Sequence, residues 1–291
     1  MHKLSILGRF SGMLDESYSI KIIKIEKYYM PDYQFVNYTV INQVATIALN
    51  TPKSLNAFHK QMRLDLIAAV NYAESDTDVR IVILTGEGRG FCAGADLTED
   101  LNGGEHANFY QQCAEEYTPW LMGIHNSKKL YIAAVNGACA GIGSAAAMNC
   151  DLIMMAEDAY LYQAFSAIGL MPDGGAVWSL FHKIGYHRAM QMVVEAGKLS
   201  ANACKKLGVA NKVVPSDELR TQAQAWAEKL AKGSPLSQAA TKTLMRQAPY
   251  LTYQDVIVEE SREQTKLIQS DDAKNAIKAF FAKKTPVFEG K

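Results

Sequence analysis

An excess of charge of either sign is missing from this chain: its 30 lysine and arginine residues cancel its 30 aspartate and glutamate residues. Without a net field to steer a polyanion, the composition points to neither a nucleic acid nor an anionic membrane surface as a partner. Long apolar runs are missing too. Charge or glycine breaks every stretch well before the roughly 20 residues that span a bilayer, so no membrane span is expected. Cysteine in metal or redox spacing is also absent. Cys92, Cys113, Cys139, Cys150 and Cys204 form no C-x-x-C pair and no zinc-ligand spacing with histidine, so no metal is expected. This odd set of isolated thiols fits a reducing compartment, and a cytoplasmic location is the expectation. The histidines show no triad spacing either, and His59 and His125 read as helix-surface residues.

What is present is ample material for a core, with 48% hydrophobic residues over 291 positions. Residues 1–35 read as an N-terminal extension without a signal peptide. From Tyr38 to Leu49 a β-branched run broken at Asn42-Gln43 predicts two strands joined by a tight turn. Met62, Leu66, Ala69, Val70 and Ala73 recur at helical spacing, and Val79 to Leu84 reads as a buried strand. The glycine-rich loop Thr85 to Leu97 has Phe91 where a dinucleotide loop needs its last glycine, and no lysine follows in P-loop spacing. Both nucleotide readings fail. Asp100 to Glu105 reads as a loop, and Ala107 to His125 as a helix with Pro119 near its middle or at a break.

The stretch from Val135 to Gly175 organises the rest. After the apolar run Leu130 to Val135 come Gly137, Gly141 and Gly143, then small residues of helical propensity from Ser144 to Met148. A helix start leaves backbone N–H groups unpaired, so this turn either offers donors to an oxygen that gains charge or serves close helix–sheet packing. Further on, Asp173 stands between Pro172 and Gly174-Gly175, where the residues alone read it as the N-cap of a following helix. Helices then follow over 177–184, 187–194 and 200–207, the last capped by Ser200, with a last strand over 209–214. Four more helices are predicted within 219–282. The alternation of strands and helices up to Val214 implies a layered α/β domain, residues 36–215, followed by a helical region, 216–291.

G-R-G-F-C-A-G-A-D-L (Gly88 to Leu97), A-A-V-N-G-A-C-A-G-I-G-S (Ala133 to Ser144) and C-D-L-I (Cys150 to Ile153) together resemble the crotonase, or enoyl-CoA hydratase/isomerase, superfamily. The likeness runs from about Val40 to the C-terminus and includes Asn50-Thr51-Pro52, Leu55-Asn56-Ala57 and the ending F-F-A-K-K-T-P-V-F-E-G-K. It implies a spiral of ββα turns with a C-terminal helical trimerisation region, and a homotrimer or dimer of trimers. It implies acyl-CoA thioester substrates, with coenzyme A part of the substrate and no separate cofactor. By position, the N–H groups of Ala95 and Ile142 would form the oxyanion hole, with Asp96 and Leu97 beside them at the substrate. Lys284 would reach the CoA phosphates across a subunit boundary.

Family hydratases use two glutamates, and at those positions this chain has Ala145 and Phe165, which the resemblance leaves as substrate-lining residues. Asp173, within A-F-S and I-G-L-M-P-D-G-G, matches the branch of ring-1,2-epoxyphenylacetyl-CoA and Δ3-Δ2-enoyl-CoA isomerases, where this position carries the acid. The resemblance thus implies an isomerase with one carboxylate. A hydratase using the same site, or a silent acyl-CoA-binding protein, remains as the alternative. Tyr110, Tyr117, Trp120 and Trp178 read either as an acyl wall or as core.

Overall fold

A computed structural model of the chain describes residues 32–101 and 109–291. The extension predicted over 1–35 lies outside them up to residue 31, and so does most of the loop expected after Asp100. Strands β1 (Val36–Ile41) and β2 (Val44–Leu49) form the expected hairpin. Its turn is built by Asn42 and Gln43 at φ of 51° and 66°, a left-handed pair that suits the twist of the flanking strands.

The chain then repeats one move. β3 (Ile81–Gly86) and β4 (Gly90–Cys92), β5 (Leu130–Val135) and β6 (Ala138–Ala140), and β7 (Leu152–Ala156) and β8 (Tyr160–Tyr162) are consecutive pairs. The first member of each pair joins a 6-stranded sheet and the second a 4-stranded sheet, parallel within each series. β9 (Lys198–Ser200) closes the smaller sheet antiparallel to β8, and β10 (Lys212–Val214) the larger one beside β7. This is a spiral of ββα turns. β3, β5 and β7 are covered on both faces, which is why they read as unbroken apolar runs.

Helices fill the outside of the spiral: α1 (Lys60–Ser75), α2 (Leu97–Leu101), α3 (Phe109–Gln112), α4 (Thr118–Asn126), α5 (Ile142–Asn149), α6 (Ala176–Ile184), α7 (Tyr186–Val194) and α8 (Ala201–Lys206). α9 (Leu219–Ala231), α10 (Pro235–Gln247), α11 (Tyr253–Ile268) and α12 (Asp271–Phe281) complete the chain. In α1 the residues Met62, Leu66, Ala69, Val70 and Ala73 are buried as their spacing predicts. His59 is a cap and not a surface residue: its ring accepts a hydrogen bond from the Met62 N–H. Ser200 caps α8 through the Ala203 N–H.

Of the two alternatives left for Pro119 in the helix expected up to His125, the structure takes the break. Residues Cys113–Tyr117 widen into a π-turn, in which the Thr118 N–H donates to the Cys113 carbonyl. Pro119 has no N–H to give and its ring would collide with the carbonyl four residues back, so the turn opens just before it and α4 restarts with Pro119 in its first turn.

Asp151 ties α10 to the sheet. One of its oxygens accepts the Tyr131 N–H at 2.8 Å and lies 2.8 Å from Lys242 Nζ, and the other lies 2.7 Å from an Arg246 nitrogen. Lys242, 5% exposed, also donates to the carbonyls of Ile124 and Lys129. Among the described residues no helix is long and apolar enough to cross a membrane, and no group of three or more His, Cys, Asp or Glu is placed to hold a metal.

Candidate active site

Two backbone turns meet at the centre of the molecule. Ala95 lies opposite Phe58 in an isolated parallel bridge, in which the Phe58 N–H donates to Gly94 O at 2.8 Å and the Asp96 N–H donates to Phe58 O at 3.1 Å. In a parallel bridge of this register the N–H of the facing residue points to the other side, so the Ala95 amide turns away from Phe58. Ile142 is the first residue of α5, where the N–H has no partner within the helix. Gly141 before it adopts φ 51°, a conformation in which an L side chain is strained.

Close packing holds the turns together. A methyl group on Gly94 would stand 3.2 Å from Ala140 O, and one on Gly143 would stand 2.7 Å from Cys92 Cβ and 2.8 Å from Cys92 O. The glycines therefore serve close packing: they let the turns touch, which places Ala95 and Ile142 on neighbouring segments. Ser144 is an internal brace with no nucleophilic arrangement, its hydroxyl donating to Gly141 O at 2.6 Å and accepting from Gln163 Nε2 at 2.8 Å. Buried Asn56 braces the other turn through the carbonyls of Glu87 and Gly90. Sequence reasoning passed over the side-chain work of Asn56 and Gln163, because an amide in an apolar context gives no sign of which distant carbonyl it will meet.

Asp173 enters from the loop before α6. A methyl on Gly174 would come within 2.7 Å of Ile142 Cγ1 and 3.2 Å of Ala145 Cβ, so this loop lies directly on α5. The side chain of Asp173 does not cap α6, contrary to the reading of the residues alone. Gly175 is the cap residue there, and the Asp173 carbonyl accepts the Ala176 N–H. The carboxylate is left with one buried oxygen that has no hydrogen-bond partner among the described residues. Burial pushes its pKa up from 3.8 to about 6, against the smaller pull of a backbone hydrogen bond. Burial, and after it the charge of Asp173, also raise the Cys113 thiol. Tyr117 is raised by burial as well; Arg63 opposes that shift, and Asp173 adds to it.

The other expected residues divide. Phe165 is nearly buried and its ring edge lies 3.8 Å from where a Gly141 methyl would stand; Ala145 is fully buried under Gly174. Neither carries a proton. Asp96 Oδ1 turns onto its own loop, accepting the Thr98 N–H and hydroxyl, and Leu97 is exposed at the start of α2. Lys284 lies beyond α12 beside Phe280, Phe281 and Pro286, and among the described residues no contact joins it to the Asp173 loop. Tyr117 and Trp120 belong to the core, and Tyr110 is 80% exposed. Trp178 instead lines a cavity of about 340 Å³ beyond Gly174-Gly175, with Leu121, Met122, His125 and Tyr250. Its indole N–H donates to the Tyr250 hydroxyl.

A spiral of ββα turns that feeds two sheets with successive parallel strands is the fold of the crotonase class. Residues 39–291 match the family Enoyl-CoA hydratase/isomerase, and the chain belongs to it. It is 35% identical over 259 residues to a Rhodobacter capsulatus protein named "Probable enoyl-CoA hydratase", covering 89% of this chain and 99% of that one. With the 1,2-epoxyphenylacetyl-CoA isomerase of Escherichia coli it shares 33% over 262 residues, 89% of this chain and 99% of the other. The crystal structure of an enoyl-CoA hydratase from Polaromonas sp. JS666 superposes with a TM-score of 0.82 at 29% identity, covering 87% and 99% of the two chains.

Proposed function

We propose that this protein is an acyl-CoA isomerase that moves a proton between two carbons of an unsaturated acyl-CoA thioester, with Asp173 as its general acid and base. The observation that carries this is the pairing of one desolvated carboxylate with Ala145 and Phe165 at the positions of the hydratase glutamates. In the step proposed, Asp173 takes a proton from the α carbon. The C–H electrons move into the conjugated system and onto the thioester oxygen, which the amides of Ala95 and Ile142 hold as an enolate. The same carboxylic acid then returns the proton to the γ carbon, and the double bond has moved from the 3 to the 2 position. No water is added and no second acid is required. The cavity beyond Gly174 offers mainly apolar room for the acyl group.

A 3-enoyl-CoA incubated with the enzyme in deuterated water tests this. The expected product is the 2-enoyl-CoA, with its γ carbon carrying the former α proton, or deuterium in those turnovers in which the Asp173 carboxylic acid exchanges with solvent before returning its proton; accumulation of 3-hydroxyacyl-CoA from a 2-enoyl-CoA would favour the second reading, a hydratase, which the names of several relatives support. The raised carboxyl also sets a pH dependence. As a base Asp173 must be ionised, so kcat/KM is expected to fall about tenfold per pH unit below about 6 and to level off above it. A profile that stays flat down to pH 4.5 would remove Asp173 as the base.

The same reading makes the protein a homotrimer or a dimer of trimers. Its support is the exposure of Tyr253, Ile257 and Val258 on α11 and of Phe280 and Phe281 on α12, large apolar side chains that a neighbouring chain would cover. Lys284, beside them, would then meet the CoA of a neighbouring subunit. Light scattering is expected to give three or six times the 32.0 kDa chain mass, and a monomer would overturn this part.

A further inference from the structure

Arg63 is a charged side chain on α1 with only 1% exposure, and its polar contacts are to the Phe58 carbonyl, Glu99, Glu116 and Tyr117. Nη1 donates at 2.8 Å to Phe58 O, the same carbonyl that receives the Asp96 N–H and so sets the strand that presents the Ala95 amide. Nη1 is also 3.0 Å from Glu99 Oε2, and the other oxygen of Glu99 accepts the Lys60 N–H at 2.7 Å, tying α2 to the start of α1. On its opposite side the guanidinium grips the π-turn. Nε and Nη2 lie 2.7 and 2.6 Å from Glu116 Oε2, the Tyr117 hydroxyl is 3.4 Å from Nη1, and Cζ stands 5.1 Å above the Tyr117 ring. Tyr117 and Cys113, both in that turn, are residues whose ionisation responds to the charge of Asp173.

From these contacts we infer that Arg63 is a positioning residue for the reaction: one buried guanidinium fixes the segment that presents the Ala95 amide and the π-turn Cys113–Tyr117 in a common register. The planar fork of arginine suits this, because it can bind a carbonyl on one edge and a carboxylate on another at fixed angles, which lysine cannot. Burying such a cation is costly and is tolerated only with its partners in place. The inference rests on the reading of Ala95 as an oxyanion donor, although not on which reaction follows.

The test uses the full chain carrying Arg63→Met, Arg63→Lys or Glu116→Gln. The infrared carbonyl band of a bound 2-enoyl-CoA labelled with carbon-13 at the thioester reads the oxyanion donors without turnover. In the wild type this band should move to lower frequency on binding. Arg63→Met is expected to lose half or more of that shift, with kcat down about a hundred-fold, the order of loss that a misplacement near 1 Å produces, and with KM little changed. Arg63→Lys should recover part of the shift. A folded Arg63→Met protein with the full band shift would overturn the inference. Should Arg63→Met fail to fold, Glu116→Gln decides in its place: a diminished shift supports the inference and an undiminished one overturns it. A wild type that shifts the band but turns over no substrate would end the isomerase reading and leave this one standing. No shift in the wild type would end the oxyanion reading and this inference together.

Discussion

Replacing Asp173 by Asn should leave an enzyme that binds acyl-CoA normally and has lost at least about a thousand-fold in kcat, within the 10²–10⁴ range of a general acid/base. Asparagine keeps the shape and cannot carry the proton. Because asparagine fills the same volume as aspartate, the dissociation constant for a 3-enoyl-CoA should hardly move. The same variant has a stability signature opposite to that of an aspartate held by hydrogen-bond or ion-pair partners. The folded-state pKa of about 6 lies above the ordinary 3.8, so in this pH window the native state holds its proton more tightly than the unfolded chain. Wild-type stability is therefore depressed as pH rises from about 4 through 6. Removing the charge should recover on the order of 1–2 kcal/mol at pH 8, after discounting for partial exposure, and almost nothing at pH 4. Single-turnover kinetics and denaturant melts at the two pH values measure both effects. Full activity in Asp173→Asn would take this residue out of the mechanism.

Asp151→Ala should be the most damaging of the conservative changes away from the site, costing about 3–5 kcal/mol of unfolding free energy. It strips the buried Lys242 ammonium of its carboxylate and leaves Arg246 close by with nothing between them. Burial already pulls the Lys242 pKa below its ordinary range, and Asp151 is the chief influence working against that pull. Without it the lysine is driven further toward its neutral form in the folded state, while the unfolded chain keeps its proton. The unfolded state then binds more protons, so the variant should regain stability as pH rises, with a larger deficit at pH 6 than at pH 9. Urea unfolding at those two values checks the sign as well as the size. A loss below about 1 kcal/mol would mean that water or a rearranged neighbour replaces the carboxylate. Activity per folded molecule should survive, since Asp151 touches none of the residues around Asp173 among the described contacts.

The hairpin, the apolar face of α1 and the buried strands β3 and β5 follow from local chemistry: residues that tolerate a left-handed turn, a helical repeat of apolar positions, and short continuous apolar runs. The same local logic puts a cap at Ser200 and two glycine-rich turns at 85–97 and 137–143. It also shows what is missing, because Ala145 and Phe165 cannot move a proton in any fold. Other features were decided by tertiary structure alone. Whether the Asp173 carboxylate caps a helix or is left buried without a partner depends on how the loop settles against Ile142 and Ala145, and only that packing withdraws water from it. The nearness of Ala95 to Ile142 needs two turns from different rungs of the spiral to touch at Gly94 and Gly141. Arg63 and Glu116 lie 53 positions apart, each an ordinary charged residue at a helical position until the fold buries them against one another. Periodicity and turn chemistry act over a few residues, whereas desolvation and long-range pairing exist only after the chain has closed around them.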